Sequence, residues 1–262
     1  MAGDSVQDTL DYNARAYRDY YRGSRIGLRY DLRYRSDRVA RLLREAGVDL
    51  GRPGFAAFEY GFGGGHMLQV VAAASRVVGL EASSSAVERA KQAAPPGHPA
   101  WEIGQWDDAT QLPFDDGSFD LVTASHVLEH LEDDEAALTE WTRLIKPGGH
   151  LLVLLPSNEK LFPGTKHLRT YEVSQFCQRL RARGLEQVRV DEHQRFDWPF
   201  KHRYLIMASR RSKLAQLLVD APRTLAFLPA QLVSSRLLDG LDAALASVGA
   251  PSCSVAYLFR KP

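Results

Sequence analysis

A short glycine-rich segment carries the strongest chemical signal in this sequence. It reads Glu59-Tyr60-Gly61-Phe62-Gly63-Gly64-Gly65 and lies between an apolar run, residues 55–60, and a helical pattern. Glycines at such a place let the backbone turn tightly and let a ligand approach where a side chain would clash. A dinucleotide-binding loop would read G-x-G-x-x-G, but the sixth position counted from Gly61 is His66. We therefore predict a ligand-binding loop of another kind, and a glycine-rich turn without a ligand is the less favoured alternative.

An acidic residue ends the next apolar run, residues 77–81. This residue, Glu81, lies twenty positions after Gly61. A carboxylate at the end of the second strand can accept hydrogen bonds from both hydroxyls of a ribose. It could instead cap the following helix, but Ser83 and Ser84 already suit that role. We therefore predict that Glu81 binds the same ligand as the glycine loop.

Two histidines and a glutamate follow the fourth apolar run, residues 119–125. On a helical turn, His126, Glu129 and His130 would share one face. Three interpretations stay open: one imidazole acts as a general base, the cluster only braces its loop, or it binds a divalent metal ion. His126, the first of the three residues, has an imidazole and not the oxygen ligand that a hard cation such as magnesium prefers, so we expect no metal ion. His126 and His130 are the candidate catalytic residues, with His126 favoured as the base.

These groups lie along a regular alternation of strand and helix patterns. Strands are predicted over residues 55–60, 77–81, 101–104, 119–125, 151–155, 185–190 and 255–259, with helices near 70–74, 84–93, 137–145 and 171–183. Strands alternating with helices at this spacing indicate parallel pairing with right-handed crossovers. The fold class is therefore α/β, a Rossmann-like doubly wound sheet, and ligands bind at the carboxyl edge of such a sheet.

Composition limits the classes of function. The chain of 262 residues has a formal net charge of +1, whereas proteins that bind the nucleic-acid backbone are usually strongly basic. Cys177 and Cys253 are its only cysteines and form neither a metal knuckle nor a disulfide framework. No signal peptide is recognised, and the longest clean apolar run, residues 151–155, is far shorter than the ~20 residues that cross a bilayer. We expect a cytoplasmic protein with neither nucleic acid nor integral membrane as its partner.

Together, these segments resemble the motifs of class I S-adenosylmethionine-dependent methyltransferases of small molecules, in particular the type 11-like family. The glycine segment is similar to motif I of that class, E/D-x-G-x-G-x-G, with Glu59 in place of the commoner Asp. The segment Asp108-Ala109-Thr110-Gln111-Leu112-Pro113-Phe114 is similar to the family's connection between the third and fourth strands. The segment Ile145-Lys146-Pro147-Gly148-Gly149 matches the turn before its fifth strand.

The resemblance implies that the cofactor is S-adenosylmethionine and that S-adenosylhomocysteine is the product. Asp108 would receive the adenine amino group, with Asp107 as the alternative acid, and the Ala109 amide would donate to the ring. Two tyrosines of the N-terminal segment would lie over the methionine part of the cofactor, although packing of a cap helix explains them equally well. The complete set implied for the cofactor is Glu59, Tyr60, Gly61, Gly63, Glu81, Ala82, Asp108, Ala109, Ser125, Tyr17 and Tyr21.

The resemblance also implies the architecture of one domain. The sheet would have seven strands in the order 3-2-1-4-5-7-6, with the last strand antiparallel. Residues 1–50 would form a helical cap, and residues 51–195 and 252–262 would form the core. Residues 196–251 would form a helical insertion over the acceptor side. The aromatic start of this insertion, Phe196, Trp198 and Phe200, offers surface for an organic acceptor.

The function that follows is methyl transfer to a small organic acceptor. The N/D-P-P-Y/F/W motif of many nucleic-acid methyltransferases is absent after the fourth strand. The segment Lys166-His167-Leu168-Arg169-Thr170-Tyr171 looks like a turn of sugar, natural-product and quinone methyltransferases. O-methylation is favoured, because a hydroxyl acceptor needs a base near neutral pH. The alternative is a methyltransferase-fold protein that binds the cofactor without methyl transfer, as a binding module or a lyase-like enzyme.

Overall fold

The computed structural model describes residues 30–93, 101–158, 167–197 and 234–262. The helices are α1 (Tyr30–Glu45), α2 (His66–Val70), α3 (Ser84–Ala93), α4 (Asp134–Leu144), α5 (Val173–Ala182) and α6 (Ser235–Ser247). The strands are β1 (Ala56–Tyr60), β2 (Arg76–Glu81), β3 (Trp101–Gln105), β4 (Phe119–Ser125), β5 (Ile145–Pro156), β6 (Glu186–His193) and β7 (Ser254–Arg260). Two of the predicted cofactor residues, Tyr17 and Tyr21, lie outside the described residues, as does most of the predicted insertion, residues 198–233.

The seven strands form one sheet in the order β3-β2-β1-β4-β5-β7-β6. Strands β1 to β5 pair in parallel, and β7 pairs antiparallel with both β5 and β6. The predicted fold class and strand order are therefore confirmed. Among the described helices, none is long and apolar enough to cross a membrane.

Two predicted element boundaries are wrong. The segment 145–149 was expected as a turn before β5, but β5 begins at Ile145, which pairs with Phe119. Gly149 permits this, because a Cβ there would lie 2.9 Å from the carbonyl oxygen of Asp120. The helix expected over residues 70–74 is instead α2, which starts at His66 after the left-handed Gly65. Its apolar pattern was misleading because Val71 and Ala74 are buried in a turn.

Helices cover both faces of the sheet and bury its central strands. Phe58 and Tyr60 of β1 point into a cluster that includes Trp141 of α4. Ala57, which precedes Phe58, points into the opposite cluster, which includes Val39 of α1. Burial on both faces explains why β4 and β5 are nearly continuous apolar runs. The sheet therefore presents its functional groups only where its strands end.

An ion-pair network joins α1 to the edge strand β6 and to α6. The Arg38 guanidinium donates to both carboxylate oxygens of Asp191 at 2.8 and 2.6 Å, and to Asp239 of α6 at 2.7 Å. Arg41 also pairs with Asp239. Burial acts to raise the pKa of Asp191, but hydrogen bonds from Arg38 and His193 more than offset it and hold that pKa well below its ordinary value. Residues far apart in the chain are thus fixed to one another.

We predict that Arg38→Met lowers the free energy of unfolding by about 2–3 kcal/mol at pH 7, because it leaves buried Asp191 without its strongest partner. The folded-state pKa of Asp191 is depressed, so its contribution is present above the ordinary carboxyl pKa and is lost as the pH falls through the folded value. The difference between wild type and variant should therefore shrink below about pH 4.

Urea denaturation measures this effect, with Arg189→Met as the matched control. Arg189 pairs with Glu45 at 3.1 Å, and both side chains are about half exposed. Removal of such a surface pair should change stability by less than about 1 kcal/mol. Equal losses in the two variants would contradict the role assigned to Arg38.

Candidate active site

The glycine loop follows β1 and adopts a backbone that ordinary residues avoid. Gly61, Gly63 and Gly65 have φ angles of 69°, 49° and 77°. The Gly61 amide donates to the carbonyl oxygen of Leu80 at 2.7 Å. A Cβ on Gly61 would lie 2.4 Å from Cγ2 of Val127, so the loop lies directly against the segment that follows β4. The loop is built as the sequence predicted, and glycine at position 61 is required for two separate reasons.

The carboxylate of Glu81 connects the glycine loop to the start of α3. Its Oε2 accepts from the Gly63 amide at 2.8 Å and its Oε1 accepts from the Ser83 amide at 3.0 Å. Ser83 itself caps α3 by accepting from the Ala86 amide at 3.4 Å. Burial raises the pKa of Glu81, and backbone amides, that of Ser83 foremost, act against the rise. A carboxylate has about four acceptor positions, so these two amides leave capacity for a pair of ribose hydroxyls.

Glu59 lies buried at the end of β1. Burial first, and the neighbouring charge of Glu81 second, raise the pKa of Glu59 well above its ordinary value, which favours the neutral acid. Within the part of the chain that the structure describes, its Oε2 has no hydrogen-bond partner. Such an atom costs about 1–3 kcal/mol unless a partner completes it. This atom and the left-handed glycines of the adjoining loop fit S-adenosylmethionine, whose amino-acid end carries polar groups.

The remaining predicted cofactor residues of the described chain lie at or just beyond the ends of β1 to β4, with Ser125 the last residue of β4. Asp108 is exposed, and its carboxylate accepts from the amide and the hydroxyl of Thr110 at 2.8 and 2.6 Å, which lowers its pKa. Ala109 is buried and Ala82 is exposed. Trp106, which the sequence analysis missed, donates from Nε1 to the carbonyl oxygen of Asp108 at 2.9 Å and thereby fixes this loop.

Tyr60 contributes its ring to the core instead of to an open site. Its side chain is buried, with its ring centroid 6.0 Å from that of Trp141. Burial raises the pKa of Tyr60, and the carboxylates of Glu81, Asp107 and Asp108 raise it further. Acidic residues at the ends of two strands, β2 and β3, therefore lie near this position.

The segment after β4 is not a regular helical turn. His126 has a left-handed backbone with a φ of 56°, and only Leu128–His130 form a turn of 3₁₀-helix. The predicted single helical face for His126, Glu129 and His130 is therefore wrong, because a left-handed residue interrupts the helical path. One predicted contact remains: His126 Nδ1 lies 3.5 Å from Oε1 of the fully buried Glu129.

The two candidate catalytic histidines have different neighbours. His126 Nε2 lies 3.4 Å from the hydroxyl of Ser254 at the start of β7, a residue that the sequence analysis did not single out. The ring of His130 contacts the ring of His167 edge to face, with centroids 4.8 Å apart. Of the two, His126 therefore has a carboxylate at one ring nitrogen and a hydroxyl at the other.

A segment that the sequence associated with small-molecule substrates holds the 3₁₀ turn in place. The Leu168 amide donates to the carbonyl oxygen of Glu129 at 2.8 Å, and Arg169 donates to the carbonyl oxygen of Glu132 at 2.7 Å. Arg169 and Tyr171 also bind the carboxylate of Asp134, the latter at 2.9 Å. In the structure, residues 167–171 act as a clamp on residues 128–134.

The first aromatic residue of the predicted insertion, Phe196, packs inside the protein and offers no open surface to an acceptor. Phe196 is buried, with its ring edge-on to that of Tyr34 at a centroid distance of 4.9 Å, and both share a cluster with Leu238 of α6. Trp198 and Phe200 lie outside the described residues. Phe196 is therefore an anchor between α1 and α6, because packing against Tyr34 removes its ring from solvent.

Sequence comparisons identify a known domain over the first five strands. Residues 58–153 match the family model described as "Methyltransferase domain". The 2-methyl-6-phytyl-1,4-hydroquinone methyltransferase of Synechocystis is 30% identical over 165 residues, which are 58% of this chain and 51% of that protein. The demethylmenaquinone methyltransferase of Mycolicibacterium gilvum is 54% identical over 46 residues, which are 18% of this chain and 20% of that protein. The chain thus matches about half the length of such relatives, or less.

Solved structures share the fold at low sequence identity. Phosphoethanolamine N-methyltransferase 2 of Haemonchus contortus, in complex with S-adenosyl-L-methionine, has a TM-score of 0.59 and 17% identity, and the match covers 100% of this chain and 61% of that one. The [4+2]-cyclase SpnF has a TM-score of 0.54 and 20% identity, with 86% and 80% covered. Residues 58–153 therefore match a methyltransferase domain, and the fold is shared with a methyltransferase solved in complex with S-adenosyl-L-methionine, in agreement with the class I fold that the motifs indicated.

We predict that Gly61→Ala weakens binding of S-adenosylhomocysteine at least about tenfold, because the left-handed backbone alone costs roughly 1–2 kcal/mol for a residue with a Cβ. The added Cβ would also overlap Val127. The double variant Gly61→Ala with Val127→Ala should regain part of the affinity, since it removes the overlap but not the backbone strain.

Isothermal titration calorimetry measures both variants, and Gly54→Ala is the control. Gly54 has a φ of 77°, but a Cβ there would meet nothing within 4 Å. That variant should lose some stability and keep its affinity. If Gly61→Ala binds as tightly as Gly54→Ala, the proximity of the loop to Val127 does not govern binding.

We predict that Glu81→Gln weakens S-adenosylmethionine binding by about tenfold or more, because it removes charge-assisted hydrogen bonds. We expect the wild type to bind with a micromolar dissociation constant, a binding free energy of about −8 kcal/mol. Glu102→Gln is the control, since Glu102 lies on the neighbouring strand and pairs with Arg76 at 2.7 Å. Calorimetry that finds equal affinity for Glu81→Gln and wild type would remove Glu81 from the cofactor site.

Proposed function

We propose that this domain transfers the methyl group of S-adenosylmethionine to a small organic acceptor, most favourably to a hydroxyl oxygen of a natural product, sugar or quinone-like metabolite. The observation that carries the proposal is the contact between two segments: Val127, beside the candidate base His126, lies against Gly61 of the cofactor loop. A base and a methyl donor held this close can act on one acceptor atom.

The cofactor side of the reaction is assigned to the ends of β1, β2 and β3. When bound, S-adenosylmethionine supplies a methyl carbon activated by a positively charged sulfur. The loop Gly61–Gly65 would hold its amino-acid end, Glu81 its ribose hydroxyls, and Asp108 with Ala109 its adenine. These residues orient the methyl group, and orientation accounts for much of the rate of a bimolecular displacement.

The acceptor side is assigned to His126. With its proton at Nδ1 and directed towards Glu129, the imidazole has its lone pair at Nε2, the atom that faces the Ser254 hydroxyl. An acceptor hydroxyl bound at Nε2 beside Ser254 would lose its proton to the ring as its oxygen attacks. The Glu129 carboxylate would stabilise the imidazolium that results.

Water must be kept from this reaction, because it would solvate the attacking oxygen. We assign this task to the cap, residues 1–50, and the insertion, residues 196–251. Their described parts, α1 and α6, are joined by the pairs of Arg38 and Arg41 with Asp239, which supports a common cover over the site.

Similar proteins include C-methyltransferases and N-methyltransferases, so the acceptor atom must be identified by experiment. The quinone-pathway relatives and the N-methyltransferase share the domain or the fold, and His126 favours oxygen here. One assay distinguishes methyl transfer from the alternative, which is cofactor binding without methyl transfer. Formation of S-adenosylhomocysteine from a panel of hydroxylated metabolites supports methyl transfer, and tight cofactor binding with no turnover on any panel member supports the alternative.

We predict that His126→Asn lowers kcat by about 10²–10⁴-fold, the usual contribution of a general base, with little change in cofactor affinity. Asparagine is chosen because it tolerates the left-handed backbone at this position. His150→Asn is the control and should keep wild-type kcat. His150 lies on β5 opposite Leu121, away from the strand ends where His126 lies. Release of S-adenosylhomocysteine measures both, and equal kcat values for the two variants would exclude His126 as the base.

A further inference from the structure

We propose that Glu129, His130 and His167 form a binding site for one divalent transition-metal ion, of the Zn²⁺ type and not the Mg²⁺ type. Each residue offers one ligand atom, and these atoms lie within 4.8 Å of one another. The inference concerns metal binding by the folded chain and does not depend on the proposed methyl transfer.

The site is brought together by the fold and not by one motif. Glu129 and His130 are consecutive in the 3₁₀ turn after β4, whereas His167 comes from the segment that leads into α5. The expectation of no metal ion rested on residues 126–130 alone and weighed a hard cation. His167 replaces His126 in the cluster and changes the donor set.

The donor set selects the class of metal ion. Two imidazole nitrogens and one carboxylate oxygen suit zinc sites with three protein ligands. They also match the facial triad of two histidines and one carboxylate that binds iron(II). Magnesium prefers an all-oxygen, octahedral shell and is a poor match. Three protein ligands leave a further position for water or for an oxygen of a substrate.

The geometry needs only a small contraction to hold an ion. Ligand atoms about 2.1 Å from a tetrahedral zinc ion are roughly 3.4 Å from each other. In the structure the ligand atoms lie within 4.8 Å of one another. Rotation of the partly exposed His130 and His167 side chains towards the buried Glu129 would shorten these distances to the spacing that zinc requires.

The surroundings are those of a preorganised site. The Leu168 amide bonds to the carbonyl oxygen of Glu129 at 2.8 Å, so the residue after His167 is fixed to the backbone of a ligand. Tyr171 donates to the carbonyl oxygen of Leu128 at 3.2 Å, the residue before Glu129. Backbone that is held on both sides of the cluster keeps the ligand positions when the metal ion is absent. Glu129 is also fully buried, so bulk water does not compete for its carboxylate.

The experiment is a titration of the full chain with Zn²⁺, after dialysis against chelator and without methyl donor or acceptor. We expect one equivalent to bind with a micromolar or tighter constant, and millimolar Mg²⁺ not to compete. His130→Ala and His167→Ala should each weaken binding about 100-fold or more, since loss of supporting residues around a metal site already costs 10–100-fold. His150→Ala, a change of the same kind on β5, should bind as wild type does.

A second measurement uses only the wild-type protein and therefore tests the site even if a variant fails to fold. Crystals of the wild-type protein soaked in Zn²⁺ should give an anomalous-scattering peak between Glu129, His130 and His167. A peak elsewhere, the absence of stoichiometric binding, or unchanged affinity in both folded variants would overturn the proposal. Because no turnover is measured, failure of the metal site leaves the proposed function untouched, and failure of methyl transfer leaves the metal site untouched.

Discussion

The position of β1 between β2 and β4 determines where every functional group lies. The chain runs outwards from β1 to β3 and then returns to the other side of β1, so helices leave the two halves of the sheet on opposite faces. A crevice opens at the carboxyl ends where the direction reverses. The glycine loop comes from β1, Glu81 from β2 and His126 from β4, and these three strands are adjacent. The parallel pairing of Tyr60 with both Leu80 and Ala124 sets their level along the sheet.

Acidic side chains are concentrated at this crevice. Glu59, Glu81 and Glu129 are each buried almost completely, and all three lie at or just beyond strand ends on one edge. Desolvation of a carboxylate is costly unless positive charge or hydrogen-bond donors compensate it. Backbone amides compensate Glu81, and neutralisation is favoured for Glu59. A positively charged ligand, such as the proposed sulfonium, would offset the cost of burying carboxylates at this edge.

Much of this arrangement could be predicted because it depends on local chemistry. The positive φ angles at Gly61, Gly63 and Gly65 require glycine, so their spacing alone identified the loop. The contacts of His126 with Ser254 and of His130 with His167 could not be predicted in this way, since each joins residues brought together only by the folded sheet or by the clamp. The left-handed backbone of His126 was also missed, because a non-glycine residue there has no sequence signature. The amide bonds to Glu81 were missed for a similar reason: they depend on how closely β1 and β2 place their loops.

The hydrophobic cluster of Tyr34, Phe196 and Leu238 has a consequence for how the acceptor side can diversify. Phe196 and Leu238 stand on either side of the segment between residues 197 and 234, so that segment leaves and re-enters the fold at one anchored point. The entropy of closing a loop rises slowly with its length, by about 0.6 kcal/mol for each doubling. A change in the number of residues between these two anchors should therefore cost the folding of the described sheet little. The number of residues between the two anchors can therefore vary while the strand ends that carry Gly61, Glu81 and His126 keep their positions.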